Sequence, residues 1–227
     1  MIDLNGILNK RFALSATTEP VGGVPKILTF QESLVDPANK TVYTFSGASI
    51  GAAASNRRVI VGVSQGGGAP NVSVTVGGIS ADLVVEAVSG LNGTAIWIAL
   101  VPSGTTADIV VTCGASANRL GIGVWSCTGL SSNTPIDTDA VTGTRDADLS
   151  VSTAEGGFTI GATETRNNSF SAVTWTGLTE RYDQWIESGG NSQSGADLSE
   201  NDGLALDVNA YFGLGDGLSY SVVLASF

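Results

Sequence analysis

Histidine is absent from this chain of 227 residues. That absence removes the imidazole on which Ser-His-Asp and Cys-His catalysis depend, and with it most catalytic zinc sites. Charge is sparse at 14% of residues, and it is lopsided: 10 basic against 21 acidic, for a formal net charge of -11. Only Lys10-Arg11 and Arg57-Arg58 are adjacent cations. A nucleic-acid binder needs clustered cations to displace counterions from phosphate, so neither DNA nor RNA is an expected partner. An acidic surface of this kind favours solubility. No apolar run approaches the ~18 residues that a membrane-spanning helix needs, so no membrane partner is expected. The stretch Met1 to Phe12 carries Asp3 early and lacks a long apolar core before a small-residue cleavage site. It does not read as a secretory signal, and cytoplasmic synthesis is the expectation.

What the chain has in quantity is glycine, at 30 residues, together with Ser, Thr and Asn, the residues of tight turns. From about residue 26 the hydrophobic pattern has period two or runs as short apolar blocks. These fall at Ile27–Phe30, Val42–Phe45, Val59–Val63, Val72–Val76, Leu83–Val88, Ala95–Val101, Ile109–Cys113 and Leu120–Cys127. They continue at Leu149–Val151, Phe158–Ala162, Phe170–Trp175, Leu204–Phe212 and Tyr220–Phe227. Each is bounded by Gly, Asn, Asp, Ser or Pro, which marks strands. Many short strands at close spacing predict an all-β, antiparallel β-sandwich over residues 26–227. The clearest local signal is Val72 to Val76 followed by Gly77-Gly78, the dipeptide of a two-residue hairpin turn. Residues 1–25 differ. Ile2, Leu4, Ile7, Leu8 and Phe12 form a loose helical stripe with Asp3 near its start and Lys10-Arg11 near its end, as a helix dipole favours. This segment predicts a short N-terminal arm or helix with a linker. The five apolar residues are the candidate partner-binding set, because an arm with few contacts of its own is stabilised by docking.

Cys113 and Cys127 end two apolar runs separated by Gly114 to Asn118. Paired as a hairpin, these runs would hold the sulfurs many ångströms beyond disulfide reach. Two free, buried thiols are expected, in keeping with a reducing compartment. Carboxylates are the remaining acid-base candidates: Asp137, Asp139, Asp146, Asp148, Asp183 and Glu187, with no spacing that selects a pair. Calcium would suit the oxygen ligands of Asp197, Glu200, Asn201 and Asp202, or of Asp137 with Asp139, but neither set has EF-hand spacing. Gly66-Gly67-Gly68 lacks the Lys-Ser/Thr of a phosphate loop and reads as a turn. No catalytic residue, metal or cofactor is therefore assigned. Trp97, Trp125 and Trp175 lie in strands and read as core or inter-subunit filler. Trp185 lies in a polar region, Gln184 to Gly203, that reads as an exposed excursion suited to contacts. With Tyr182 it forms the candidate glycan-binding pair.

The succession from Val72 to Gly78, Ala95-Ile96-Trp97-Ile98-Ala99-Leu100-Val101-Pro102-Ser103-Gly104, Asp108 to Thr112 and Gly121 to Leu130 resembles a jelly-roll module. Such modules recur in tailed-bacteriophage virion proteins and in bacterial surface proteins. The closing strand Leu218 to Phe227 is similar to the last strand of that module, and the likeness covers roughly residues 40 to 227. It implies a jelly-roll-like sandwich and a virion structural protein, either a capsid decoration (cement) protein or a tail or neck component, located in the virion. Partners would be the major capsid or tail protein, and further copies of this chain in a homo-oligomer. It brings no catalytic residue with it. The alternative expectation is a carbohydrate-binding module of a phage fibre or bacterial surface protein.

Overall fold

A computed structural model of the chain describes residues 25–67, 71–144, 146–166, 172–188, 190–213 and 219–227. The predicted arm, with Ile2, Leu4, Ile7, Leu8 and Phe12, lies outside them. Among the described residues the regular structure is β throughout, and every strand pair is antiparallel. The first half supplies β1 (Ile27–Asp36), β2 (Lys40–Ser49), β3 (Arg58–Gly66), β4 (Asn71–Val76), β5 (Ile79–Ser80), β6 (Asp82–Ser89), β7 (Asn92–Leu100), β8 (Thr106–Ala117) and β9 (Arg119–Thr128). The second half supplies β10 (Asp137–Gly143), β11 (Ala147–Val151), β12 (Phe158–Arg166), β13 (Thr174–Thr176), β14 (Thr179–Glu187), β15 (Asn191–Ser199), β16 (Leu206–Tyr211) and β17 (Ser219–Ser226).

These strands sort by half. The first forms an inner sheet, β1-β9-β3-β7-β6, and an outer sheet, β2-β8-β4-β5. The second forms an inner sheet, β10-β17-β12-β15-β14, and an outer sheet, β11-β16-β13. Residues 26–227 thus fold as two sandwiches rather than the single one expected. The two inner sheets face each other: β6 packs on β10 and β17, β3 on β12, and β1 on β14. The order of layers is outer, inner, inner, outer, with a hydrophobic core in each of the three gaps.

Burial explains the sequence pattern. An inner strand meets another layer on both faces, so β3, β7 and β9 read as continuous apolar or small residues. In β7, Ala95, Trp97 and Ala99 fill the first sandwich while Ile96 and Ile98 fill the central seam. Outer strands alternate. Ile109, Val111 and Cys113 of β8 point inward, and Val110 and Thr112 do not. The predicted hairpin turn joins β4 to β5, with φ of 59° at Gly77 and 80° at Gly78, a conformation open to glycine.

The two halves repeat one topology. Reading β1, β2, β3, β4, β6, β7, β8 and β9 against β10 to β17 reproduces the order of both sheets, with β5 unmatched. Val74 and Val76 correspond to Val173 and Trp175, and each strand runs into a glycine of positive φ, Gly78 or Gly177. Gly62 of β3 lies opposite its counterpart Ala162 of β12, where the central strands of the inner sheets cross. The sandwiches are therefore related by an approximate twofold axis, as in an isologous dimer.

Two further expectations are corrected. Gly114 to Ala117 belong to β8, and β8 and β9 lie in different sheets, so Cys113 and Cys127 are not partners in a hairpin. Cys113 faces the first core and Cys127 the seam, and both thiols are free and buried. Burial pushes Cys113 up to about 11 and Cys127 to about 12. An aromatic disulfide reagent at mild alkaline pH is expected to leave both unmodified in the folded chain and to titrate both in denaturant. The supposed excursion Gln184 to Gly203 is chiefly the β14–β15 hairpin, and β15 runs buried between β12 and β14.

Candidate functional site

The seam between the inner sheets has an apolar part and a polar end. The apolar part holds Ile60, Ile96, Ile98, Trp125, Phe158, Ile160, Val223 and Phe227. Tyr182 lies among them, stacked on Phe30 at 5.7 Å and tilted against Trp125 at 5.9 Å. Three glycines admit its ring: a β-carbon at Gly123 or Gly195 would overlap the phenol, and one at Gly62 would touch its oxygen at 3.7 Å. Tyr182 is thus a core residue, not half of an exposed sugar platform. Trp185, half-buried on β14 opposite Ser192, does not share a face with it. Trp97, Trp125 and Trp175 are buried, as expected for core.

Most of the carboxylates proposed as acids, bases or calcium ligands are engaged locally. Asp137 accepts from the Ser152 and Thr138 amides, and Asp139 from Ser150 and Ala140. Asp148 takes the Asn209 amide, and Glu187 pairs with Arg119. Asp197 is buried, held by Trp125 Nε1 at 2.8 Å and by both arms of Arg181. Asn201 bonds Thr159, and Asp202 caps Leu204. Among the described residues no three acidic or thiol groups converge as metal ligands.

At its other end the seam turns polar. Thr94 and Ser221 share a hydrogen bond of 2.7 Å across it, and Ser64 donates to the Thr163 carbonyl. Glu164 is fully buried there. Asn191 donates to Glu164 Oε1 and to Asn92 Oδ1, while Asn92 Oδ1 also receives the Gly67 amide at 3.1 Å. Asn92 and Asn191 open β7 and β15, so they are counterparts under the approximate twofold axis. Beyond them a cleft of about 200 Å³ opens, lined by Gly67, Leu91, Asn92, Asn118, Arg119, Arg166, Gly190 and Asn191. Glycine at 67 and 190 leaves room for the Asn118 amide and the Arg119 guanidinium.

Burial pushes Glu164 well above the usual carboxylate range, against the lowering effect of the Asn191 bond and of Arg119 and Arg166. Its Oε2 and Oε1 of Gln193, directly opposite on β15, are buried acceptors without a donor among the described residues. A proton on the acid supplies one. Asp183 is raised by burial from 3.8 to about 6, even with the Val173 amide bonded to it. A carboxyl raised on folding contributes stability that is complete below its unfolded value and lost as pH rises through its folded value. Asp137 has the opposite sign: the Ser152 and Thr138 amides hold it low, and its contribution is lost as acid protonates it. Stability is therefore expected to be greatest near pH 4, to fall as pH rises to about 6 with Asp183, and to fall further with Glu164. Glu164→Gln should flatten that fall and raise stability at pH 8 by about 1–3 kcal/mol, measured by urea unfolding at several pH values.

The sequence reading missed this end of the seam entirely. A signal was present: Ser89-Gly90-Leu91-Asn92 is echoed by Ser188-Gly189-Gly190-Asn191, each running into an inner strand. The run Val74-Thr75-Val76-Gly77-Gly78-Ile79-Ser80 is echoed by Val173-Thr174-Trp175-Thr176-Gly177-Leu178-Thr179. No family model matches the chain, and no curated protein shows significant similarity to it.

Proposed function

We propose that this chain is a non-enzymatic structural component of a bacteriophage virion, a capsid decoration protein or a tail or neck component, acting through protein–protein contacts. The observation that carries the reading is that buried charge serves to lock loops onto the β stack. Arg57 is fully buried and donates to the carbonyls of Gly51, Val101, Ser103 and Gly104. Arg58 donates to Asn133 and the Leu130 carbonyl and so fastens the segment between β9 and β10. Loops held in this way suit a block that presents a fixed surface to neighbours. The nested pairing of β1 with β9 and β2 with β8, repeated as β10 with β17 and β11 with β16, supports a jelly-roll identity for each sandwich. Partners are the major capsid or tail protein and further copies of the chain, with residues 1–25 as the attachment arm.

Purified particles of the virus that encodes the chain test this reading. The protein is expected in them at a fixed copy number, and electron microscopy should place it on the shell or the tail. Full-length protein should co-sediment with particles stripped of it, while a folded variant lacking residues 1–25 should not. Particles that never contain the chain would end the reading, and normal incorporation of the truncated form would remove the arm.

A further inference from the structure

The polar cleft at the end of the seam is lined by two guanidiniums, those of Arg119 and Arg166. Arg119 is pinned through Nη1 by Glu187, and its buried Nε has no acceptor among the described residues. Arg166 closes β12 and forms no hydrogen bond or ion pair with the described residues. The other described guanidiniums are committed: Arg57 and Arg58 to carbonyls, Arg181 to Asp197. Asn118 takes the Asn39 amide on its Oδ1 at 3.4 Å, and its own Nδ2 lies against Gly67. Asn92 Oδ1 and Glu164 Oε1 are already filled from within by Gly67 and Asn191, while Glu164 Oε2 is a buried acceptor without a donor among the described residues. In a chain of net charge -11, two guanidiniums and the Asn118 side chain therefore line one small recess.

We propose that this recess binds a small oxyanion, the carboxylate or phosphate group of a compact ligand, between the guanidiniums of Arg119 and Arg166, with Asn118 as a further donor. Two planar guanidinium forks suit the oxygens of such a group. The volume of about 200 Å³ holds inorganic phosphate or a single sugar acid. It is the space of roughly six or seven waters at ~30 Å³ each. Glu164 lies behind the cleft, and in its neutral form it leaves the local charge positive. The site draws one guanidinium from each sandwich, Arg119 from β9 and Arg166 from β12, so only the assembled pair of sandwiches forms it. The inference is independent of the virion reading, since a structural protein and a carbohydrate binder could each hold such a ligand.

The test is a titration of the full, isotopically labelled chain with inorganic phosphate, with D-glucuronate and with neutral glucose, followed by amide NMR. Saturable shifts are expected at the Gly67 amide and the Asn92, Asn118 and Asn191 side chains, with phosphate, glucuronate or both. Response to both identifies the oxyanion head as the recognised group, and response to glucuronate alone identifies a sugar acid; either supports the site. Arg166→Gln, at a position outside the packed core, should keep the spectrum of the folded chain and weaken binding about tenfold, or ~1.4 kcal/mol. Shifts that fail to saturate, binding unchanged in Arg166→Gln, or glucose binding as well as glucuronate would each overturn the proposal.

Discussion

Replacing Arg57 by methionine is expected to destabilise the protein by about 4 kcal/mol, close to one for each orphaned carbonyl. The side chain is fully buried, with Nε donating to Val101 at 2.8 Å and Nη2 to Ser103 at 2.7 Å. Nη1 divides itself between Gly51 at 2.6 Å and Gly104 at 2.8 Å. Methionine fills most of the volume but offers no donor, so the loops before β3 and after β7 lose their common anchor. For a chain of this length the loss corresponds to a fall in Tm of roughly 8–16 °C. Arg57→Lys should recover at most half of it, because a single ammonium cannot reach four carbonyls arrayed around a planar fork. Thermal and urea unfolding of the three proteins decides the matter. A loss below about 1 kcal/mol in Arg57→Met would show that water replaces the guanidinium.

The second large effect lies where Tyr182 enters the seam. Gly123→Ala places a methyl group inside the phenol ring, and the ring cannot retreat, because Phe30, Trp125 and Gly195 enclose it. Overpacking of this kind should cost about 3 kcal/mol. Tyr182→Phe should have the opposite sign. The hydroxyl is buried without a partner among the described residues, so its removal is expected to stabilise by up to about 1 kcal/mol. Opposite signs from two substitutions in contact discriminate a packed seam from an exposed ring. A Tyr182 that faced solvent would make both changes nearly silent.

Much of the architecture was legible because apolar side chains carried it. Val59–Val63, Ala95–Val101 and Leu120–Cys127 fall on β3, β7 and β9, whose burial on two faces demands hydrophobic runs. What escaped was built from polar groups. The sequence of β15, Asn191 to Ser199, looks like a surface loop, yet nearly all of it is buried. Several of its polar atoms are bonded to other strands, with Ser194 accepting from Trp175 Nε1 and Asp197 from Trp125 and Arg181. Periodicity of hydrophobic residues is blind to a strand whose burial is achieved by hydrogen bonds. The same applies to Glu164, Asn92 and Asn191, polar residues that carry no hydrophobic signal and are buried where the seam brings them together. The second sandwich escaped for a related reason. Its likeness to the first survives in short turn motifs and in the order of its strands, and a search for internal repeats is what exposes such motifs.

The face-to-face seating of the two inner sheets is the premise of the seam, the cleft and the Tyr182 slot alike. It is tested most directly by nuclear Overhauser contacts from the Ala162 methyl group. A β-carbon on Gly62 would stand 3.2 Å from that methyl and 3.3 Å from Cζ3 of Trp125. Strong cross-peaks from the Ala162 methyl to the Gly62 α-protons and the Trp125 ring are expected. An Ala162 methyl that shows contacts only to residues of its own half, or to water, would contradict the account.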